Sequence, residues 1–223
     1  MATIRPWNIE RFEQWSPPDG FAKFLITTKE GLTQAALMEL QPRYVFFPHW
    51  SWIIPPAIAD NFECVLFHMT DLPFGRGGSP LQNLIARGIY QTQISAIRVS
   101  AGLDEGPVYL KRPLDLAEGS AQELFEKMST AIFEMMSEIV RTRPEPKAQV
   151  GEPTFFKRRT PEESQIPAGR HGRQLYDFIR MLDAEGYPRA CSLVGGQQVE
   201  FFDAQLNSTD EVTARAIFKT PRI

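Results

Sequence analysis

The sequence predicts an α/β protein, with a mostly parallel sheet flanked by helices and a small C-terminal α+β extension. Three observations lead there. Short apolar runs at residues 21–27, 44–47 and 62–67 read as strands, and helical spacing at 30–40 and 58–61 separates them. A long amphipathic stretch follows at 120–140, and a polar, proline-bearing segment then precedes a shorter mixed tail. With 223 residues, 43% of them hydrophobic, the chain is long enough to bury a substantial core.

Taken in order, the first 20 residues are mixed, with Trp7, Trp15 and a Ser16-Pro17-Pro18-Asp19-Gly20 turn. Residues 21–27 predict a strand, and Thr28 a helix cap. Residues 30–40 predict a helix with Leu32, Ala35, Ala36 and Leu40 on one side, broken by Pro42. Residues 44–47 are a strand, 58–61 a short helix and 62–67 a strand that delivers His68 at its C-terminal end. Strand-helix-strand order implies parallel pairing with crossover helices, and ligands in such sheets sit beyond the carboxyl ends of the strands. His49 and His68 both fall there.

Residues 79–88 predict a helix, with Pro80 in its first turn. Residues 92–100 and 108–111 are strands on either side of a turn at Asp104. The helix at 120–140 starts with a capping box, Ser120 and Glu123, and aligns Leu124, Met128, Ile132, Met135, Met136 and Ile139. Residues 143–153 are the linker candidate, dividing a domain over 1–142 from a subdomain over 154–223. That tail predicts a helix at 171–182 and strands near 191–194 and 199–202. The methionine-rich helix and the tail are each candidate homodimer faces.

A formal net charge of -3 argues against a nucleic-acid footprint over the whole molecule. No apolar run reaches the ~18 residues that span a bilayer, so no membrane partner is expected. Met1 to Trp7 lacks the apolar segment of a signal peptide. The two cysteines, Cys64 and Cys191, stand far apart without metal-ligand spacing and read as buried thiols, so a reducing, cytoplasmic setting is expected.

The chemistry concentrates in His68-Met69-Thr70-Asp71-Leu72-Pro73-Phe74-Gly75-Arg76-Gly77-Gly78-Ser79-Pro80 and, later, Leu103-Asp104-Glu105-Gly106. A histidine, a Pro/Gly-rich cradle and a turn carboxylate are parts suited to proton transfer around a nucleophile. The plain alternatives are a satisfied histidine beside the sheet and a turn aspartate.

These residues resemble the formyltransferase family. His68-x-x-x-Leu72-Pro73-x-x-Arg76-Gly77-x-x-Pro80 is similar to the loop that follows the family's Asn-x-His pair. Leu103-Asp104-Glu105-Gly106 resembles its Leu-Asp-x-Gly turn. Phe156-Lys157-Arg158-Arg159-Thr160-Pro161-Glu162 is similar to the segment after the catalytic domain in sugar N-formyltransferases. The resemblance implies a Rossmann-like domain with an abbreviated N-terminal half. It implies transfer of a formyl group from 10-formyltetrahydrofolate to an amine, with His68 as base and Asp104 orienting it. A nucleotide-linked amino sugar is the acceptor expected on this resemblance. The family's asparagine is replaced by Leu66, which cannot donate to the formyl oxygen. His49 is the favoured substitute donor, and a non-catalytic folate- or sugar-nucleotide-binding homologue is the competing expectation. Trp52, Ile53, Ile54, Arg76, Gly77, Leu103 and Gly106 are expected at the folate. Thr70 and Ser79 are expected at the acceptor. Arg76 has an equal claim to a structural ion pair.

Overall fold

The structure, a computed structural model, describes residues 1–219; residues 220–223, the end of the predicted C-terminal subdomain, lie outside the described residues. Its elements run α1 (Pro6–Gln14), α2 (Gln34–Leu40), β1 (Val45–Phe47), α3 (Pro56–Ala59), β2 (Cys64–His68), β3 (Arg76–Gly77), α4 (Pro80–Ile85), β4 (Gln91–Arg98) and β5 (Val108–Asp115). They continue with α5 (Ala121–Thr142), β6 (Phe155–Phe156), a 3-10 turn (Pro161–Ser164), α6 (Gly172–Arg180), β7 (Ala190–Val194), β8 (Gln197–Leu206) and β9 (Val212–Lys219). The chain divides into two compact units. One comprises Met1–Gly77, Thr92–Leu114 and Glu126–Phe155. The other comprises Gly78–Gln91, Asp115–Phe125 and the chain from Phe156 onward.

In the first unit a mixed sheet has the order β1-β2-β4-β5. β1 and β2 are parallel, with Phe47 opposite Leu66, whereas β2 and β4 are antiparallel, with His68 opposite Ser95. The α/β class and the separate small sheet are as predicted. The predicted strand at 21–27 shrinks to one parallel bridge, Ile26 with Ala2. Ala2 in turn donates its N–H to the Phe46 carbonyl at 2.8 Å. The partner is too short to extend a strand, because Pro6 opens α1 almost at once and brings no N–H donor. The chain before β1 thus adds a single bridge at that sheet edge.

α2 begins later than its periodicity suggests. Thr33, not Thr28, caps it, accepting from the Ala36 N–H at 3.2 Å, while Thr28 closes a local turn on Gly31. The core beside β1 gathers Ala2, Leu37, Val45, Phe47, Ile58 and Cys64. Burial pushes the Cys64 thiol up to about 12, consistent with a packing role. α5 buries Leu124, Met128, Ile132, Met135, Met136 and Ile139, the stripe seen in the sequence. Each such side chain contributes roughly 1.5–3 kcal/mol of burial. The Ser120 N–H donates to Glu123 Oε2 at 2.7 Å and the Glu123 N–H to Ser120 Oγ at 3.3 Å, completing the expected capping box.

In the second unit β7, β8 and β9 form an antiparallel sheet. Sequence periodicity missed β9, whose side chains are almost all exposed and carry no alternation. A buried ionic knot joins α6 to the chain before it. Arg180, 1% exposed, donates from Nε to Asp177 and from its two Nη atoms to the carbonyls of Gly119 and Leu116. Tyr90 and Arg173 also donate to Asp177. Among the described residues no helix is long and apolar enough to cross a membrane.

Candidate functional site

Strand β2 carries His68 to its last position, where the imidazole is 6% exposed. Its Nδ1 stands 3.5 Å from Oδ2 of Asp104, and its Nε2 lies 2.8 Å from the Gly75 carbonyl. A carbonyl only accepts, so Nε2 carries the hydrogen of that bond. The same Asp104 oxygen accepts from the Gly77 N–H at 2.8 Å. His68, Asp104, Gly77 and Thr70 are thus brought together, the last donating its hydroxyl to the Gly75 carbonyl at 3.4 Å. Ser95, opposite His68 on β4, ties down the start of the loop by donating to the Thr70 carbonyl at 2.7 Å.

Asp104 sits at φ +50°, a left-handed conformation that a non-glycine residue holds only when its surroundings impose it. Gly106 has a steric requirement, because a Cβ there would stand 1.7 Å from the Arg98 carbonyl oxygen. Leu103, the residue before Asp104, is 63% exposed. Ile53 is 91% exposed, whereas Ile54 is buried in the core. Trp52 lies edge-on to Trp50 with ring centroids 4.9 Å apart.

Arg76 has the structural partners that were one of its two expected roles. Its Nε and Nη2 reach Gln149 Oε1 at 3.2 and 2.8 Å, and Nη1 is 3.8 Å from Glu105. Residues 143–153, expected as a linker, are built into the first unit. Lys147 and Val108 exchange both backbone hydrogen bonds, at 2.7 and 2.9 Å. Gln149 Nε2 donates to the Asp104 and Gly106 carbonyls at 2.8 and 2.9 Å. Thr154 accepts the Gly75 N–H on its hydroxyl at 2.7 Å. Sequence reading missed Gln149, Thr154 and Ser95. The surrounding prolines pointed to a linker, and nothing local marked these side chains.

His49 is placed differently. At φ +53° it turns its ring toward α1, where the Asn8 amide lies 3.3 Å from its Nδ1 and Trp7 packs edge-on at 5.7 Å. Asn8 is itself held by Thr3 and by the Ser129 hydroxyl. Burial, with the nearby Arg5 charge, lowers the His49 pKa to about 3. Leu66, two residues before His68 on β2, packs against the apolar core cluster. Ser79 belongs to the second unit, where its hydroxyl accepts the Arg159 N–H at 3.1 Å. Gly78 passes so close to Arg158 that a Cβ would meet its backbone at 2.7 Å. Asn83 completes this junction, donating to the carbonyls of Gly78, Ser79 and Lys157.

Residues 161–219 match the sequence model of the methionyl-tRNA formyltransferase C-terminal domain. The methionyl-tRNA formyltransferase of Francisella philomiragia is 28% identical over 188 residues, which cover 80% of this chain and 59% of that protein. The chain thus spans little more than half the length of this curated relative. HypX from Aquifex aeolicus, solved in complex with tetrahydrofolic acid, shares the fold, with a TM-score of 0.73 at 18% identity over 91% of this chain and 37% of that one. A solved structure described as methionyl-tRNA formyltransferase from Clostridium thermocellum superimposes with a TM-score of 0.92. It is 47% identical, and the match covers 98% of this chain and 96% of that one. On that extent of likeness, together with the His68 loop and the Asp104 turn, the chain belongs to the formyltransferase family.

Proposed function

We propose that the chain transfers a formyl group from 10-formyltetrahydrofolate to a primary amine, with His68 as the proton acceptor. The observation that carries this reading is the placement of His68 Nδ1 3.5 Å from Asp104, at the carboxyl end of a sheet strand. The folate derivative supplies an electrophilic formyl carbon. Its flat ring suits exposed apolar side chains such as those of Trp52, Ile53 and Leu103. With Nε2 released from the Gly75 carbonyl, His68 takes at that nitrogen the proton that the amine loses as it bonds to the formyl carbon. It gives that proton to the tetrahydrofolate nitrogen as the bond from that nitrogen to the formyl carbon breaks. Asp104, facing Nδ1, holds the imidazole and balances its positive charge. Leu66 leaves the family's oxyanion donor unfilled at its usual place. His49 already belongs to the Asn8 network and does not supply that donor.

The names of the relatives support the α-amino group of methionyl-tRNA as acceptor. A second reading, a nucleotide-linked amino sugar, is favoured by charge. Residues 161–219 carry six Lys or Arg against nine Asp or Glu, an unfavourable surface for a polyanion.

The test is turnover of 10-formyltetrahydrofolate with methionyl-tRNA and with UDP-, dTDP-, GDP- and CMP-linked amino sugars, read as the mass gain of a formyl group. Product from one class names the acceptor. Folate binding without product from any of them would favour the non-catalytic binding homologue.

A further inference from the structure

We propose that Gln149 is the positioning residue of this site, its carboxamide holding the Asp104 turn and the Arg76–Gly77 strand together so that the Asp104 carboxylate stays on His68. The kinetic part of this inference rests on the formyl-transfer reading; the geometric part does not.

A carboxamide offers two N–H donors and two acceptor lone pairs, and Gln149 uses all four. Its Nε2 donates to the carbonyls of Asp104 and Gly106, and its Oε1 accepts from Nε and Nη2 of Arg76. Carbonyls accept and a guanidinium donates, so only one orientation of the amide fits. A carboxylate, an ammonium or an apolar side chain in its place would leave at least two of the four partners unmet.

What the amide joins matters more than the number of bonds. Asp104 Oδ2 is fixed on one side by the Gly77 N–H at 2.8 Å and faces His68 on the other at 3.5 Å. Gln149 sets the Asp104 backbone through its carbonyl, and through Arg76 it sets the neighbour of the Gly77 donor. Both anchors of the carboxylate thus depend on one side chain. Asp104 stands at φ +50°, so the turn needs such an external hold. Gln149 is itself fixed in the chain direction, by the Lys147 pairing with Val108 on one side and on the other by Thr154. The latter takes the Gly75 and Arg76 N–H groups and donates to the Pro73 carbonyl.

The experiment compares the full chain with Gln149→Met, Gln149→Glu, Asp104→Asn and the Asp104→Asn/Gln149→Met double variant. Gln149→Glu keeps an acceptor for Arg76 but turns a carboxylate on two carbonyls. Both single Gln149 variants are expected to lose about 10- to 100-fold in kcat, with KM for the formyl donor changing by less than about 3-fold. The double variant is expected to be no slower than Asp104→Asn alone, because nothing is left to position. Additive losses would overturn the proposal.

A readout independent of turnover is the ring nitrogen spectrum of His68, one of three histidines in the chain. It is expected to move in Gln149→Met toward its position in Asp104→Asn. Unchanged His68 resonances, with or without a lowered melting temperature, would show a role in the scaffold only and overturn the proposal. If the parent chain formylates no acceptor, the formyl-transfer reading fails, and the spectrum still decides the role of Gln149.

Discussion

The Gly75 carbonyl sits 2.8 Å from Nε2 of His68, so the loop that follows the histidine also occupies one of its two nitrogens. The other nitrogen faces Asp104. The ring is therefore oriented from both ends, and Nε2 is open to take a proton only once it lets go of the Gly75 carbonyl.

Replacement of His68 by Asn removes the proton acceptor while keeping a polar side chain of smaller size. Turnover is expected to fall by about 10²- to 10⁴-fold, with folate binding retained. Steady-state kinetics beside equilibrium folate titration checks this. Turnover close to that of the parent would remove His68 from the mechanism.

Leu66→Asn restores an amide donor two residues before His68. One oxyanion donor is typically worth about 10²- to 10³-fold in kcat, and a gain toward that size is expected. The amide enters a partly apolar site, so a stability loss of about 1–3 kcal/mol accompanies it. A variant that folds, binds folate and shows no gain would mean that another group already fills the role.

The His49 ring makes stability depend on pH. Its folded pKa, about 3, lies below the ordinary 6.5, so below 6.5 the unfolded chain binds a proton that the folded chain refuses. Stability from this group is complete above pH 6.5 and declines as the pH falls toward 3. At pH 5 the loss is on the order of 2 kcal/mol. Urea melts at pH 7 and pH 5 should show it, and His49→Gln should flatten the difference. An equal drop in both proteins would assign the effect to other groups.

Asp177 in the second unit accepts from Tyr90, Arg173 and Arg180, and the last of these is almost wholly buried. Asp177→Ala leaves that guanidinium charge without its carboxylate, a change that costs about 3–5 kcal/mol. Chemical denaturation measures it, and a loss below about 1 kcal/mol would show that the carbonyls of Gly119 and Leu116 suffice to hold Arg180.

Much of this was legible in the sequence because it is local. The stripe on α5, its Ser120–Glu123 cap, the strands at Val45–Phe47 and Cys64–His68, and the His68 and Asp104 motifs all show in neighbouring residues. Thr28 and Thr33 show the limit: two threonines stood before the same apolar spacing, and the second is the cap. β9 has no buried face to impose a period of two. Gln149 looked like part of a linker because its meaning lies in partners far away in the chain, at Arg76 and Asp104. His49 followed a strand as expected, yet Asn8 on α1 claims its ring.

The bond from the Gly75 N–H to Thr154 joins residues 79 positions apart. β2 and its histidine can pair with β1 soon after both leave the ribosome, but Gly75 and Arg76 in the loop over that histidine lack their backbone partners until the segment past α5 has emerged. Assembly of the site is thus among the last events of synthesis for this unit, since long-range closure follows local structure. A nascent chain halted before Thr154 would carry the histidine and the aspartate without the bonds that fix Gly75 and Arg76 beside them.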